Sequence, residues 1–370
     1  MKRAMKRDDL LQPQDREAGF ILPVVMVALA VISLSIWAAL SALESTRKDL
    51  SDLRADIRLQ RTALVAEARV AYLLATEPLG AAGLRQGARR YRISDEFSAA
   101  SESSEPVDPL ANVLRFDNRA YEMSLGSDTV AEVRLQDEAG LLNLNILDQV
   151  ALERLLRNLG AKEEAARQLA ATLHDFIDAD DLKRLNGAEA SEYERAGQMP
   201  PPNRDLNQVS EAFSAFGWSS ELPAGAAGRL AELTSTASAT TPFNLNTAPQ
   251  DVLRAWFDLT EDEAATVIRA RETSLLVGPT SLTSLTGRPA QPSDFRLYAF
   301  PGRSIRLSVR LVNEPRGATH ISWIRLAEAG DIYPYFVLGP EIDNPSSKFA
   351  ERANEQDEDT PPRPFPFPVG

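Results

Sequence analysis

Residues 20–43 read FILPVVMVALAVISLSIWAALSAL, twenty-four positions from Phe20 to Leu43 without a charge. As a helix rising ~1.5 Å per residue, this run reaches ~36 Å, more than the ~30 Å hydrocarbon core of a bilayer. A cleaved secretory signal has an apolar run of only ~7–15 residues, ending in a small-x-small cleavage site. Here the run is longer and ESTRKD, Glu44 to Asp49, follows it directly. The stretch therefore predicts a retained transmembrane helix over 20–43. Charge leaves its orientation open, because Lys2, Arg3, Lys6, Arg7 and Arg16 precede it while Arg47, Lys48, Arg54, Arg58 and Arg61 follow. Helical periodicity continues past the span. Leu50, Leu53, Ile57, Leu64, Ala68 and Ala71 recur at three, four or seven residues between charges. That predicts an amphipathic extension over 44–76, ended by the breaker Glu77-Pro78-Leu79-Gly80.

The rest of the 370-residue chain is long enough for further domains with cores of their own. Its formal charge of −13 argues against nucleic-acid binding as the main task, since that affinity comes from neutralising phosphates. The chain has no cysteine, which excludes disulfide scaffolds, thiolate zinc sites and Cys nucleophiles together. Only His174 and His320 could supply imidazole chemistry. His174 has no partnered nucleophile, and no Gly-x-Ser-x-Gly elbow, phosphate loop or HExxH is present. The composition leans away from an enzyme.

Gly80 to Leu110, rich in Gly, Ser and Glu, predicts a surface loop. Val113–Leu125 and Thr129–Leu135 alternate apolar and polar residues around Gly126-Ser127-Asp128, a hairpin pattern. Leu141 to about Arg271 is helical by period. Strand alternation returns in Ser304–Val312, Thr319–Ala327 and Tyr333–Leu338. Glu341–Gly370, acidic and then proline-rich, predicts a disordered tail. Strands on both sides of a helical block predict an α+β fold: a long N-terminal helix, an antiparallel sheet, and an all-helical domain inserted between strands.

The helical block repeats itself. Leu142-Asn143-Leu144-Asn145 precedes one helical pair and Phe243-Asn244-Leu245-Asn246-Thr247-Ala248 precedes another, with each Asn expected to cap the helix that follows. Each pair resembles the helix-hairpin-helix (SAM-like) units of DNA-binding proteins. The Gly-x-Gly turn that meets phosphate there is replaced by Leu159-Gly160-Ala161 and Leu259-Thr260-Glu261. Glu163, Glu164, Glu261 and Glu263 would repel a phosphate. Membrane-anchored DNA uptake is the alternative reading; no nucleic-acid partner is expected.

Asp175 to Glu194 reads DFIDADDLKRLNGAEASEYE, seven acids against Lys183 and Arg184. Calcium takes 6–8 hard oxygen ligands, which such a loop can supply; Lys183, however, stands where an EF-hand needs its Gly. A solvated acidic face and a calcium loop are both open on the residues alone, the former favoured.

The leader Met1–Gly19 ends Arg16-Glu17-Ala18-Gly19 against Phe20 and resembles a prepilin-type signal. With it occur, in order, Asp137-Glu138-Ala139-Gly140-Leu141-Leu142-Asn143-Leu144-Asn145, Phe176-Ile177-Asp178-Ala179-Asp180-Asp181, Asn186-Gly187-Ala188-Glu189, Pro201-Pro202-Asn203-Arg204 and Asn244-Leu245-Asn246-Thr247-Ala248-Pro249. Together these motifs resemble the minor pseudopilin K family of type II secretion systems (general secretion pathway protein K).

The resemblance implies a leader over 1–19 cut between Gly19 and Phe20 by prepilin peptidase, with N-methylation of Phe20. It implies a pilin domain with its loop and first strands over 77–136, an inserted helical domain over 137–300, final strands over 301–340 and a tail over 341–370. It further implies a single-pass protein of the bacterial inner membrane with its domain in the periplasm. The partners would be the I and J type minor pseudopilins, and the role structural, at the tip of the pseudopilus in protein export. It favours calcium in the acidic loop, with Asp178, Asp180, Asp181, Glu189 and Glu192 as its ligands. Major pseudopilins of this kind carry a Glu at the fifth mature position, which here is Val24. Val24 reads either as one more membrane-facing residue or as the mark of a subunit with nothing above it.

Overall fold

In this computed structural model the described residues are 21–81, 83–85, 112–125, 129–236, 243–289, 297–312, 318–327, 332–343 and 361–367. The leader, Gly19, Phe20 and the hairpin tip 126–128 lie outside them. The chain divides after Ile57 into two units.

Helix α1 spans Ile21–Thr76. Its apolar part in the first unit is exposed throughout. Among the described residues it is the one helix long and apolar enough to cross a membrane. The second unit begins at Arg58, and there the helix acquires a buried face: Leu59, Ala63, Ala66, Val70, Ala71, Leu73 and Leu74. This corrects the stripe expected from the sequence, since Leu50, Leu53, Ile57 and Leu64 are exposed. The face toward the sheet sets Ala63, Ala66 and Ala71 among Val70, Leu73 and Leu74, and the small side chains let the helix approach the sheet closely.

After α1 come the short strands β1 (Leu79–Gly80), β2 (Gly83–Arg85) and β3 (Val113–Arg115), which form a small sheet in that order. Leu79–Arg85, expected within a surface loop, is thus partly paired, and Leu84 is fully buried. The expected strand 113–125 is broken at Phe116 into β3 and β4 (Asp117–Ser124). β4 runs antiparallel to β5 (Val130–Asp137), with Tyr121 opposite Val133 and a register shift between Asp117 and Ala120.

The chain then leaves the sheet through a 3-10 turn, Glu138–Gly140, for the helical block. In order this contains β6 (Leu142–Asn143), α2 (Gln149–Asn158), α3 (Glu163–Ile177), α4 (Ala190–Arg195), α5 (Trp218–Glu221), α6 (Ala226–Leu233), β7 (Thr234–Ser235), β8 (Phe243–Asn244), α7 (Gln250–Phe257), α8 (Glu261–Arg271), α9 (Pro279–Thr286) and β9 (Leu297–Tyr298). Its apolar core runs from Leu142 to Leu282 and includes the fully buried Trp218 and Tyr193. The chain returns as β10 (Ser304–Leu311), β11 (Thr319–Leu326) and β12 (Tyr335–Asp343). β10 pairs directly with β5, Leu307 opposite Leu135, so the two strands that flank the helical block in sequence are neighbours in the sheet.

The main sheet has the order β12-β11-β10-β5-β4-β13, where β13 is Arg363–Pro364. Two expectations about the C-terminus are corrected here. The last sheet strand runs on to Asp343, past the expected border at 340, and residues 361–367 are not a loose tail: β13 lies beside β4, and Phe367 is buried in the sheet core. A proline-rich segment can extend a sheet at its edge, where missing N–H groups leave no gap in a ladder.

The two Asn-x-Asn segments make matching bonds, but their asparagines do not cap helices. In the first half Asn143 Oδ1 accepts from the Asn145 N–H at 2.9 Å. The Asn145 side chain pairs both ways with the backbone of Leu206, accepting from its N–H at 2.8 Å and donating to its carbonyl at 3.0 Å. In the second half Asn244 accepts from the Asn246 N–H at 3.0 Å. Asn246 then pairs with Leu276 in the same two-way fashion, at 2.9 and 3.1 Å. Helix α2 is capped instead by Asp148, which accepts from the Ala151 N–H, and α7 begins after Pro249. Each Asn-x-Asn thus turns its own backbone and stitches the start of a helical pair to a distant loop.

Candidate functional site

A cluster of buried polar groups joins the sheet to the helical block. Asp137, the last residue of β5, is fully buried. Its carboxylate accepts four hydrogen bonds: from Asn244 Nδ2 (2.9 Å), Thr247 Oγ1 (2.9 Å), the Gly302 N–H (2.8 Å) and the Ala139 N–H (3.0 Å). Burial pushes the Asp137 carboxyl up to about 6, against the opposing pull of those four donors. Next to it Glu138 accepts from Ser304 Oγ at 2.5 Å and Trp323 Nε1 at 2.8 Å. Gly140 completes the junction, because a Cβ there would stand 2.6 Å from Thr247 Oγ1 and 2.9 Å from the Ala248 nitrogen. The Asp-Glu-Ala-Gly and Asn-x-Asn-Thr-Ala motifs, over a hundred residues apart in sequence, are therefore the two halves of one joint.

Four amides of the helix-hairpin-helix turns are already engaged within the chain. The N–H groups of Leu159, Gly160 and Ala161 donate to carbonyls of Leu155, Arg157 and Leu156. In the second turn the Thr260 N–H donates to Glu263 at 2.7 Å, and Glu263 is also paired with Arg288. Donors already engaged in capping are unavailable to an anion. His174 is structural as well, its two ring nitrogens at 2.8 and 2.9 Å from the carbonyl oxygens of Ala170 and Leu147.

The acidic loop leaves the C-terminus of α3 and closes at the start of α4. Asp175 is fully buried in the last turn of α3, and Asp178 follows as the cap. The chain returns through Asn186, in the left-handed region at φ 67°, and Gly187, where a Cβ would fall 1.8 Å from Asp175 Oδ2. Only a glycine admits the loop this close to the buried carboxylate. Glu189, at the start of α4, is 6% exposed, and neither of its carboxylate oxygens has a hydrogen-bond partner. Burial, followed by repulsion from Asp175, Asp178, Asp181 and Asp180, lifts its carboxyl to about 7. Asp178 Oδ1 and Asn203 Oδ1 are also buried without a partner.

Of the five residues expected as ligands, the structure turns Asp178 and Glu189 inward. Asp180 and Asp181 lie at the exposed rim, accepting from the Leu182 N–H (2.8 Å) and from Asn203 Nδ2 (3.2 Å). Glu192 has both oxygens engaged, by the Glu189 N–H at 3.1 Å and by Lys183 and Arg195 at 3.0 and 2.5 Å. Among the described residues no three His, Cys, Asp or Glu side chains stand ready to hold a metal. The positive charge at the centre is Arg184, which pairs with Asp175 at 2.9 Å and with Asp178. Two members were missed in the sequence. Asp175 belongs to the loop only because Gly187 is folded onto it. Asn203 arrives from the Pro201-Pro202-Asn203-Arg204 turn, where its own φ of 48° was the strained position. The unpartnered oxygens of Asp178, Glu189 and Asn203 are of the hard type that calcium takes, but these side chains do not converge as a formed site.

Three comparisons bear on the chain as a whole. A family model described as "Type II secretion system (T2SS), protein K" matches residues 135–226, which contain the acidic loop, Asp137 and the first helical pair. The type II secretion system protein K of Pseudomonas aeruginosa is 30% identical over 211 residues, covering 54% of this chain and 59% of that protein. The protein of the same name from Pectobacterium carotovorum subsp. carotovorum is 26% identical over 223 residues, covering 56% and 61%. The chain thus spans about three-fifths of the length of these curated relatives. In fold it is similar to a chain in the crystal structure of the GspK-GspI-GspJ complex of the enterotoxigenic Escherichia coli type 2 secretion system. The TM-score is 0.52 at 18% identity, over 81% of this chain and 99% of that one. Residues 135–226 are thus of the type II secretion system protein K type, and the fold that carries them is similar to that of a chain in the solved complex.

Proposed function

We propose that this chain is a minor pseudopilin, a structural part of the type II secretion apparatus that takes part in protein export across the outer membrane and does no chemistry of its own. The observation that carries the reading is the pairing of an exposed apolar N-terminal helix with a segment, residues 135–226, of the protein K type. The anchor would hold the chain in the bacterial inner membrane as a single pass, with the sheet and helical block in the periplasm. Its partners would be the I and J type minor pseudopilins, as in the GspK-GspI-GspJ complex, one chain of which it resembles in fold. DNA uptake is not favoured, because the turn amides that would hold phosphate are already spent within the helices.

The same reading places prepilin-peptidase cleavage between Gly19 and Phe20, with N-methylation of Phe20. Mass spectrometry of membrane-extracted protein should find a chain starting at methylated Phe20, and Gly19→Leu should leave the leader in place. A wild-type chain that keeps Met1, or begins beyond Leu43, would count against it.

Val24 bears on position in the assembly. It lies exposed on α1, in the apolar run. A Glu at this depth costs ~2.5–3.5 kcal/mol on the lenient insertion scale and is tolerable chiefly when paired. A subunit at the tip has no neighbour above to supply the pairing group, and Val removes the cost. Crosslinking of assembled pseudopili should find this chain once, at the end, beside the I and J type subunits. Its recovery along the shaft, or a need for Val24→Glu in normal assembly, would sink the tip reading.

A further inference from the structure

Residues 361–367, PPRPFPF, are not used by the proposed function, yet they are seated on the sheet. β13 runs parallel to β4, Arg363 beside Tyr121 and Pro364 beside Glu122, and the Phe365 N–H donates to the Glu122 carbonyl at 3.0 Å. Phe367 is 4% exposed, within the core that α1 and the sheet share. Phe365 stands edge-on to Tyr121, ring centroids 6.2 Å apart, and lies 6.1 Å from Phe367.

The sequence alternates strictly here, with Pro362, Pro364 and Pro366 between Arg363, Phe365 and Phe367. In an extended chain, successive backbone N–H groups point to opposite edges, so Arg363 and Phe365 direct theirs to the same side, that of the Phe365–Glu122 bond. The outer edge would carry the N–H groups of Pro362 and Pro364, which have none. It offers carbonyls only. The same alternation sends the two phenylalanines to one face, into the core, and the prolines to the other.

A strand-accepting edge needs donors and acceptors in turn, and proteins close such edges with proline, charge or a covering segment. β4 is eight residues long and would otherwise be the open margin of the sheet. We propose that residues 361–367 are a terminating strand: they fill the β4 edge and present a donor-free margin, so that a second copy of this chain cannot add to the sheet there. This stands apart from the secretion reading and does not depend on it.

The test compares full chains in detergent micelles, reading self-association by sedimentation and amide exchange at Tyr121–Ser124. A chain ending at Thr360 should exchange those amides at least tenfold faster and self-associate at least tenfold more strongly than the wild type. Adding the peptide PPRPFPFPVG should reverse both changes. The double variant Pro362→Val/Pro364→Val keeps the phenylalanine anchors and restores two outward donors. It should keep the β4 amides protected yet still self-associate at least tenfold more strongly. If the shortened chain fails to fold, this variant decides alone. A shortened chain with unchanged β4 exchange, or a double variant that associates no more than the wild type, overturns the proposal.

Discussion

Asp137→Ala should destabilise the second unit by about 4 kcal/mol at neutral pH. Removing the carboxylate leaves Asn244 Nδ2, Thr247 Oγ1 and the N–H groups of Gly302 and Ala139 without their acceptor in a site closed to water. Each buried donor left unpaired costs ~1–3 kcal/mol, and the four are too close together for their costs to add in full. Part of the loss is offset, because the wild type holds an ionised carboxylate in a site that prefers it protonated. The sign follows from the direction of the shift. A carboxyl at about 6 in the fold, against 3.8 in the open chain, retains its proton where the open chain has lost it. Its contribution is therefore fully present below about pH 4 and lost as the pH rises through about 6. Denaturant unfolding of the full chain in micelles, followed by tryptophan fluorescence at pH 5 and pH 7, reads both effects. A loss under ~0.5 kcal/mol, typical of a free surface position, would show that the junction does not depend on this carboxylate. Thr247→Val, which removes one donor with little change of volume, should cost far less in the wild type than Asp137→Ala does, and close to nothing in its presence.

That junction marks the boundary between what could be read in the chain and what could not. The apolar run, the β4–β5 hairpin, the repeated helical pairs and the placing of the helical block between strands all follow from local periodicity, which a sequence displays directly. The Asn-x-Asn motifs were visible as a repeat, but their work was misassigned to capping. Their actual partners are Leu206 and Leu276, 61 and 30 residues away, and no local pattern announces a bond of that range. The buried face of α1 was largely missed. Of the expected stripe only Ala71 is buried; the face that meets the sheet sets Ala63 and Ala66 beside Val70, Leu73 and Leu74, while Leu64 points to solvent. In the tail, proline content argued for disorder, and only the period-two placing of Phe365 and Phe367 signalled a strand.

The acidic loop was legible in composition but not in arrangement. Charge density drew attention to Asp180, Asp181 and Glu192, which proved to be rim or capping residues. Burial, which decides where an uncompensated charge is costly, kept Asp178 and Glu189 of the five expected residues and added Asp175. Arg184, one of only two cations in the stretch, was weighed only in the charge balance and is the counter-ion of Asp175 and Asp178.

Calcium should stabilise the folded chain through this loop, and the effect should be the second largest available to a single change of condition. An ion bound only by the folded state contributes RT ln(1 + [Ca]/Kd), ~2.7 kcal/mol at a hundredfold excess over Kd. Spread over a unit of this size, that corresponds to a rise in melting temperature of ~4 °C between chelator and saturating calcium. The loop can supply the Asp178 and Glu189 carboxylates and the Asn203 carbonyl, all of which hold buried oxygens without partners. Arg184 must then give way, since it already neutralises Asp175 and Asp178. Two substitutions separate this from a general effect of salt. Glu189→Gln should abolish the calcium-induced rise. In chelator it should melt above the wild type, because it removes a buried carboxyl that four aspartates repel. Arg184→Gln should do the opposite, melting lower in chelator while binding calcium more tightly, because the competing cation is gone. Magnesium should substitute poorly, since it keeps most of its water and demands a stricter octahedron than a loop of this kind provides. A melting curve indifferent to calcium at millimolar concentration would mean that Arg184 is the permanent cation of the site and that the unpaired oxygens of Glu189 belong to a strained closure of the loop.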